Sequence, residues 1–168
     1  KNNGLDDNYI MSVTDVADHL WIGTWNSGFY KYLKNRGEVI HYDEIEGLNF
    51  KMKEVPIVEI TEVKNGKKLL LGTRGYGVIV ADIEGNQLSK PFHISSNHKS
   101  NRLGNDFITD IFASGDNILI CTEGGLDQFD ISTNKITHLT LDNQMPKSII
   151  ESAIVSEDNH FWLSTYNN

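Results

Sequence analysis

The chain has 168 residues and a formal net charge of −8, with 39% apolar and 23% charged side chains. This composition predicts a folded domain and excludes a disordered tail, because enough apolar side chains are present to offset the entropy of ordering the chain. No run approaches the roughly 18 apolar residues of a membrane-spanning helix, and the acidic balance argues against direct contact with nucleic acid. Cys121 is the single cysteine and cannot form an internal disulfide. Because residues 1–4 contain neither an initiator methionine nor a signal peptide, we expect a piece of a longer protein.

Four short apolar segments recur along the chain, and each ends in a small residue followed by threonine. The threonines are, in chain order, Thr24, Thr73, Thr122 and Thr165. They are separated by 49, 49 and 43 residues. A glycine and a further apolar run follow each of the first three, and these glycines are Gly28, Gly77 and Gly125. A fixed period of this length predicts a repeat architecture.

Each repeat unit is predicted to consist of short strands separated by polar turns. The predicted strands of the first unit are 9–16, 20–24, 29–32 and 38–42; of the second, 57–63, 69–73, 78–81 and 87–94; of the third, 107–113, 118–122, 126–129 and 135–141; and of the fourth, 149–155 and 161–165. The turns between them are rich in glycine, asparagine and aspartate, which tolerate tight backbone geometry.

Four antiparallel strands that repeat at somewhat over 40 residues are typical of a β-propeller blade. The sequence therefore predicts an all-β fold, a propeller fragment of about three and a half blades whose ring does not close within the chain. The expected blades are 8–43, 55–94 and 106–141, with a half blade at 148–168. Helical repeats and an immunoglobulin-like sandwich fit the pattern less well. We expect the open ends to meet further blades of the parent chain, or a second copy of it.

Several repeated residues are expected to be structural. Trp21 and Trp162 lie within strands and should pack blade against blade, while the four threonines should satisfy backbone groups at the strand ends. The three glycines should allow the turns that follow.

The residues after the threonines form the candidate ligand-binding set: Trp25, Asn26, Arg74, Tyr76, Glu123, Tyr166 and Asn167. Loops that share one face of a propeller are a usual place for ligands. This mixture suits a sugar, because a pyranose packs a C–H face on an aromatic ring and needs oriented hydrogen-bonding groups for its hydroxyls. Trp25 is the best single candidate. For any one aromatic, capping the blade ends is an equally good interpretation.

Two long connections, 43–55 and 95–105, are expected on the same face and indicate a binding or docking loop. The second carries His98, Lys99 and Arg102, which could meet an anionic sugar. A solvated basic stretch is the more common explanation of such residues.

The sequence resembles the two-component regulator propeller repeat. In the first unit the resemblance rests on the segments 5–13 and 20–24 followed by Gly28, and in the third on 103–108, 118–122 and 123–130. It covers nearly the whole chain, although Leu70 replaces the usual tryptophan and Cys121 the usual glycine. The resemblance implies the periplasmic sensor region of a hybrid two-component histidine kinase of gut Bacteroidetes, which detects oligosaccharides from polysaccharide breakdown. The kinase domains and the membrane span would lie outside this chain, and a receptor homodimer is compatible with it.

Nothing in the sequence supports catalysis, a cofactor or a metal site. The six histidines have no metal-ligand spacing, and no nucleophile elbow, phosphate loop or dinucleotide fingerprint is present. The alternatives that stay open are a propeller enzyme of lyase or lactonase type and a protein-docking scaffold without a small ligand. The enzyme would need a histidine or carboxylate that recurs at one innermost position of the blades, and we find none.

Overall fold

The computed structural model describes residues 4–139, 149–156, 158 and 160–166. Within this part of the chain there are fourteen strands and one 3-10 turn at Met52–Glu54. The strands are β1 (Ile10–Val16), β2 (His19–Thr24), β3 (Phe29–Leu33), β4 (Glu38–Tyr42), β5 (Ile57–Val63), β6 (Lys68–Thr73), β7 (Val78–Glu84), β8 (Gln87–Ile94), β9 (Ile108–Ser114), β10 (Asn117–Thr122), β11 (Gly125–Asp130), β12 (Lys135–Leu139), β13 (Ile149–Val155) and β14 (Phe161–Tyr166).

The strands form four sheets in chain order. Three sheets have four antiparallel strands each, β1 to β4, β5 to β8 and β9 to β12, and the described part of the fourth has β13 and β14. The first strands of successive sheets contact one another, which places β1, β5, β9 and β13 next to the axis. The prediction of an all-β, unclosed arc of four-stranded antiparallel blades is thereby confirmed for the described residues.

The core lies between the blades, in one apolar cluster for each interface. The second strands of the two inner blades are covered on both faces by neighbouring sheets, and so β6 and β10 are nearly continuous apolar runs and are almost fully buried. The rim strand β12 is mostly exposed. This burial explains why the second strands gave the clearest repeat in the sequence.

Trp21 is the centre of the interface between the first two blades. It is fully buried, and its indole N–H donates a hydrogen bond of 2.8 Å to the Glu62 carboxylate. His19 packs edge-on against it at 5.4 Å, and the Lys31 ammonium lies 5.0 Å from its ring. A buried indole needs such a partner because an unpaired polar group is costly in an apolar core.

Trp162 lies at the open end of the described arc, so its packing against a further blade stays a prediction. It is 65% exposed, because no described sheet covers that face of β14. Its strand neighbour Ile154 is 52% exposed for the same reason. At the other end of the arc Val13 is 57% exposed, whereas the equivalent Ile60 is 1% exposed beneath the preceding blade. The described arc thus presents an open apolar face at each end.

The strand bounds differ from the sequence prediction by a few residues. β7 continues to Glu84, three residues further than predicted, because its hairpin partner β8 pairs with it as far as Gln87. The fourth strand of the third blade is described to Leu139, and the remainder of its predicted range lies outside the described residues. Most of the first long connection is exposed, but Ile45, Met52 and Val55 are buried at the first interface.

Candidate functional site

The repeated threonines hold the loops between second and third strands. The Thr24 hydroxyl donates to the Gly28 carbonyl at 2.9 Å and accepts the Ser27 N–H at 3.1 Å. The second and third blades repeat this clamp at Thr73 with Gly77 and Tyr76, and at Thr122 with Gly125 and Gly124. Each hydroxyl therefore satisfies one donor and one acceptor of a loop whose backbone would otherwise need water.

Glycine is required at two of these loops. Gly28 and Gly77 have φ values of +65° and +72°, in the left-handed region that disfavours side chains. A Cβ on Gly77 would lie 2.2 Å from the Ile94 carbonyl oxygen, and one on Gly28 would lie 2.8 Å from that of Met52. The loops can therefore pass close to the neighbouring backbone only because these residues lack a side chain.

The residue after each threonine is tied to the innermost strand of its own blade. The backbone N–H of Trp25 donates to the Tyr9 carbonyl, and those of Arg74 and Glu123 donate to the carbonyls of Pro56 and Phe107, each at 3.0 Å. Their side chains consequently start from equivalent places beside the axis. The sequence predicts these three residues on one face, and the backbone hydrogen bonds fix the position of the Cα atom from which each side chain extends.

Arg74 and Glu123 meet between the second and third blades. A guanidinium nitrogen of Arg74 lies 2.9 Å from a Glu123 carboxylate oxygen, and the same guanidinium lies 5.5 Å from the Phe107 ring centroid. Both side chains are about one-third exposed, so this ion pair is worth little stability but sets the direction of both groups. Their charges neutralise each other and leave no net charge for an ionic ligand.

Trp25 packs on the first blade. Its ring centroid lies 6.1 Å from that of Tyr9, which is 63% exposed. The Asp7 carboxylate accepts the N–H groups of Tyr9 at 2.8 Å and Asn26 at 2.6 Å. These bonds, that from Tyr9 first, hold the pKa of Asp7 below its usual value. Trp25 and Asn26 are thus ordered by a carboxylate just before the first strand.

Tyr76 lies apart from the axial residues, towards the rim. Its ring centroid is 5.1 Å from that of Phe50, which belongs to the first long connection. Tyr166 is 59% exposed at the end of β14, and Asn167 lies outside the described residues. Among the described candidates the structure therefore brings together Arg74 and Glu123, and keeps Trp25, Tyr76 and Tyr166 on separate parts of the arc.

A recurring histidine in the fourth strands was missed in the sequence. His41, His93 and His138 occupy equivalent positions, opposite Tyr30, Ile79 and Asp127 in the third strands. They follow the clamp threonines of their blades by 17, 20 and 16 residues, and this spacing is the signal that could have revealed them. Nε2 of His41 donates to the Ser27 carbonyl at 2.7 Å, and Nε2 of His93 donates to the Tyr76 carbonyl at 2.6 Å.

In the third blade the histidine pairs with a buried acid instead. Nδ1 of His138 contacts the Asp127 carboxylate, which also accepts the Gly104 N–H at 2.9 Å. Asp127 is only 1% exposed, and burial raises its pKa above the usual value despite these bonds. The pair ties the second long connection to the third blade.

The expectation that no carboxylate recurs at an innermost position is wrong for the second and third blades, whereas the first and fourth have Ser12 and Ser152 there. Glu59 of β5 and Asp110 of β9 occupy equivalent positions, opposite Gly72 and Cys121. The sequence hides the match because Glu59 lies 14 residues before Thr73 and Asp110 lies 12 residues before Thr122: the turn between the first two strands is two residues longer in the second blade than in the third. Burial, and then the charge of Asp110, raises the pKa of Glu59 to about 7. Asp110 accepts the Ala153 N–H at 3.2 Å.

Two further findings concern the described residues only. They contain no group of three or more histidine, cysteine, aspartate or glutamate side chains arranged to hold a metal ion. Among the same residues, no helix has the length and apolar character needed to cross a membrane.

Comparison with known proteins gives matches by structure. No family model matches the chain, and no curated sequence is significantly similar to it. Two extracellular domains of hybrid two-component systems from B. thetaiotaomicron superpose with TM-scores of 0.75 and 0.73, at 23% and 20% identity, over 95% and 96% of the chain. The chain spans about a fifth, 22%, of each of those domains.

A computationally designed protein gives a third match, with a TM-score of 0.63 and 12% identity over 98% of this chain and 95% of its own. At these identities the likeness establishes the fold. It agrees with the resemblance found in the sequence. The chain therefore has the β-propeller fold shared with the extracellular domains of hybrid two-component systems.

Proposed function

We propose that the chain is part of the extracytoplasmic ligand-sensing region of a hybrid two-component sensor kinase. The observation that carries this proposal is the structural likeness, over 95% of the chain, to extracellular domains of such systems. The ligand class that we propose is an oligosaccharide released from a polysaccharide, and binding would be signalled across the membrane. The kinase chemistry would belong to domains outside this segment, which itself needs no cofactor.

The proposed setting is the periplasm, with the segment joined to further blades. The open faces at Val13 and Trp162 support such a partner, because the equivalent residues of the inner blades are buried against a neighbouring sheet. Further blades of the same protein are the first choice, and a second copy, as in a receptor homodimer, is the other. Large exposed apolar faces commonly mark such interfaces.

The chemistry of the loop face supports a sugar ligand. It combines exposed aromatic rings with uncharged or neutralised polar groups, such as the Arg74 and Glu123 pair. Pyranose rings favour this combination, because they present C–H faces and many hydroxyls but often no charge.

The proposal is tested by isothermal titration of the complete protein against a panel of plant and host-glycan oligosaccharides. We expect saturable binding of at least one member and transfer of phosphate to the response regulator when that member is present. A panel without any binding would refute the sugar assignment, and binding without a change in phosphorylation would refute the signalling role.

A second candidate, a propeller enzyme, is favoured by one observation. Glu59 has a pKa of about 7 beside Asp110 near the axis, as a general acid or base often does. Product analysis by chromatography after incubation with the same panel separates the candidates. Turnover that is lost in Glu59→Gln would support the enzyme, and a ligand recovered intact would support the sensor.

A further inference from the structure

Four rings gather on the loop face at the rim of the second blade. Phe50 comes from the first long connection, Tyr76 from the clamped loop, His93 from β8 and His98 from the second long connection. The Phe50 centroid lies 5.1 Å from that of Tyr76 and 5.2 Å from that of His93, and His93 and His98 are 6.1 Å apart. We call this group the rim cluster. It joins both long connections to a residue of the candidate set.

The hydrogen bond of His93 fixes which of its nitrogens is free. Its Nε2 lies 2.6 Å from the Tyr76 carbonyl oxygen, which can only accept, so Nε2 carries the proton. In the neutral ring Nδ1 is then an acceptor, and no described residue bonds to it. The Tyr76 hydroxyl likewise has no partner among the described residues, and Tyr76 is 36% exposed. The rim cluster thus offers an open acceptor and an open hydroxyl beside the Phe50 ring.

The first blade shows that holding the loop does not require this openness. The equivalent His41 makes the same bond to the Ser27 carbonyl, at 2.7 Å. Its ring is covered by Tyr30, stacked at 4.4 Å with an interplanar angle of 13°, and its Nδ1 faces the Asp6 carboxylate at 3.8 Å. Both histidines are half-buried, but Nδ1 of His41 faces a carboxylate whereas Nδ1 of His93 has no partner among the described residues. Holding the loop does not account for this difference.

A cavity adjoins the rim cluster. It has a volume of about 540 Å³ and is lined by residues 44–51, which include Phe50. That volume lies within the range of roughly 300–1,000 Å³ that is usual for small-ligand sites. Glu44 is paired with Lys51 at 3.5 Å, and Glu46 adds a further negative charge to the wall. These carboxylates would repel an anionic ligand, whereas they would not repel a neutral one.

We propose that the rim cluster binds a neutral pyranose unit of an oligosaccharide. The C–H face of the sugar packs on Phe50, its hydroxyls bond to Nδ1 of His93 and to the Tyr76 hydroxyl, and the next sugar units occupy the cavity of residues 44–51. This inference rests on the proposed function and names its site. The axial residues Arg74 and Glu123 are not part of that site, because their polar groups already bond to each other.

The test is isothermal titration of the complete protein with four neutral tetrasaccharides, derived from cellulose, xylan, starch and mannan, and with tetragalacturonate as the anionic probe. Phe50→Leu keeps apolar volume but removes the ring, and His93→Gln keeps an N–H for the Tyr76 carbonyl but removes Nδ1. We expect each to weaken binding of a neutral tetrasaccharide at least tenfold. The matched controls Phe107→Leu and His41→Gln should change it less than twofold.

A second measurement does not depend on any variant folding. Long-range ¹H–¹⁵N spectra of the wild-type protein should show the Nδ1 resonance of His93 shifting on addition of the bound tetrasaccharide, while that of His41 stays in place. Equal effects of the site and control variants, an unmoved His93 resonance, or binding of tetragalacturonate alone would each overturn the inference and leave the sensor proposal standing. Failure of every probe to bind the wild-type protein would overturn both this inference and the sugar assignment of the proposed function.

Discussion

Glu59 is predicted to make the fold less stable as the pH rises through neutrality. Its pKa is about 7 in the folded chain against an ordinary value of 4.5, so the folded state holds the proton more tightly than the unfolded state. Stability is therefore highest below about pH 4.5 with respect to this group, and it is lost as the pH rises through about 7. Above that pH the folded chain must hold an ionised carboxylate near Asp110.

The magnitude follows from the same difference in pKa. A shift of this size corresponds to at most about 3 kcal/mol at high pH, and partial contact of the side chain with solvent reduces the expected effect to about 2 kcal/mol. Glu59→Gln removes the charge while keeping the shape. The variant should be about 2 kcal/mol more stable than the wild type at pH 8 and nearly equal to it at pH 5.

The assay is urea unfolding of both proteins at pH 5, 6, 7 and 8, followed by tryptophan fluorescence and circular dichroism. Titrations common to both proteins cancel in the difference between them. Glu38→Gln is the matched control, because Glu38 is more than half exposed and should change stability by less than about 0.5 kcal/mol at every pH. A difference between Glu59→Gln and wild type that does not vary with pH would refute the reasoning, and so would a loss of stability at pH 8.

Two further predictions concern the scaffold and are checked by the same urea titration. Gly77→Ala should cost at least about 3 kcal/mol, since its Cβ would meet the Ile94 carbonyl, whereas Gly85→Ala, also at positive φ but with no atom within 4 Å, should cost about 1 kcal/mol; equal costs would contradict the close approach. Trp21→Phe removes one of the two partners of the Glu62 carboxylate, the other being His19, and should cost about 2 kcal/mol, while the exposed Trp162→Phe should change little in this chain. A large effect at Trp162 would show that its face is covered in solution.

The strands were predictable because they depend on patterns that short segments carry by themselves. A second strand covered on both faces must be apolar throughout, which makes Leu69 to Thr73 recognisable as a strand from the sequence. A clamp needs threonine and glycine at fixed spacing, which makes the loop from Thr73 to Gly77 recognisable in the same way. The end residues of the strands were harder to predict from the sequence than the strands themselves. β7 runs on to Glu84 because a tight hairpin allows pairing that no single strand segment specifies.

The site was less predictable, because its contacts depend on how neighbouring blades are arranged around the axis. Arg74 and Glu123 are 49 residues apart and meet only because their blades are neighbours. The recurring carboxylates escaped notice because the turn between the first two strands is two residues longer in the second blade than in the third, which puts Glu59 and Asp110 out of step with the threonines. The recurring histidines of the fourth strands, His41, His93 and His138, escaped notice because the clamped loops and the hairpins before them differ in length between blades.

The threonine clamps hold each loop through contacts that do not involve the side chains of the loop residues. Each clamp uses the threonine hydroxyl and backbone atoms, and so the residue that follows can be tryptophan, arginine or glutamate without disturbing the strands. Recognition on such a face can change one blade at a time, at almost no cost to folding. Exchanging the three residues after one threonine for those of another blade should therefore leave the strands and the free energy of unfolding almost unchanged.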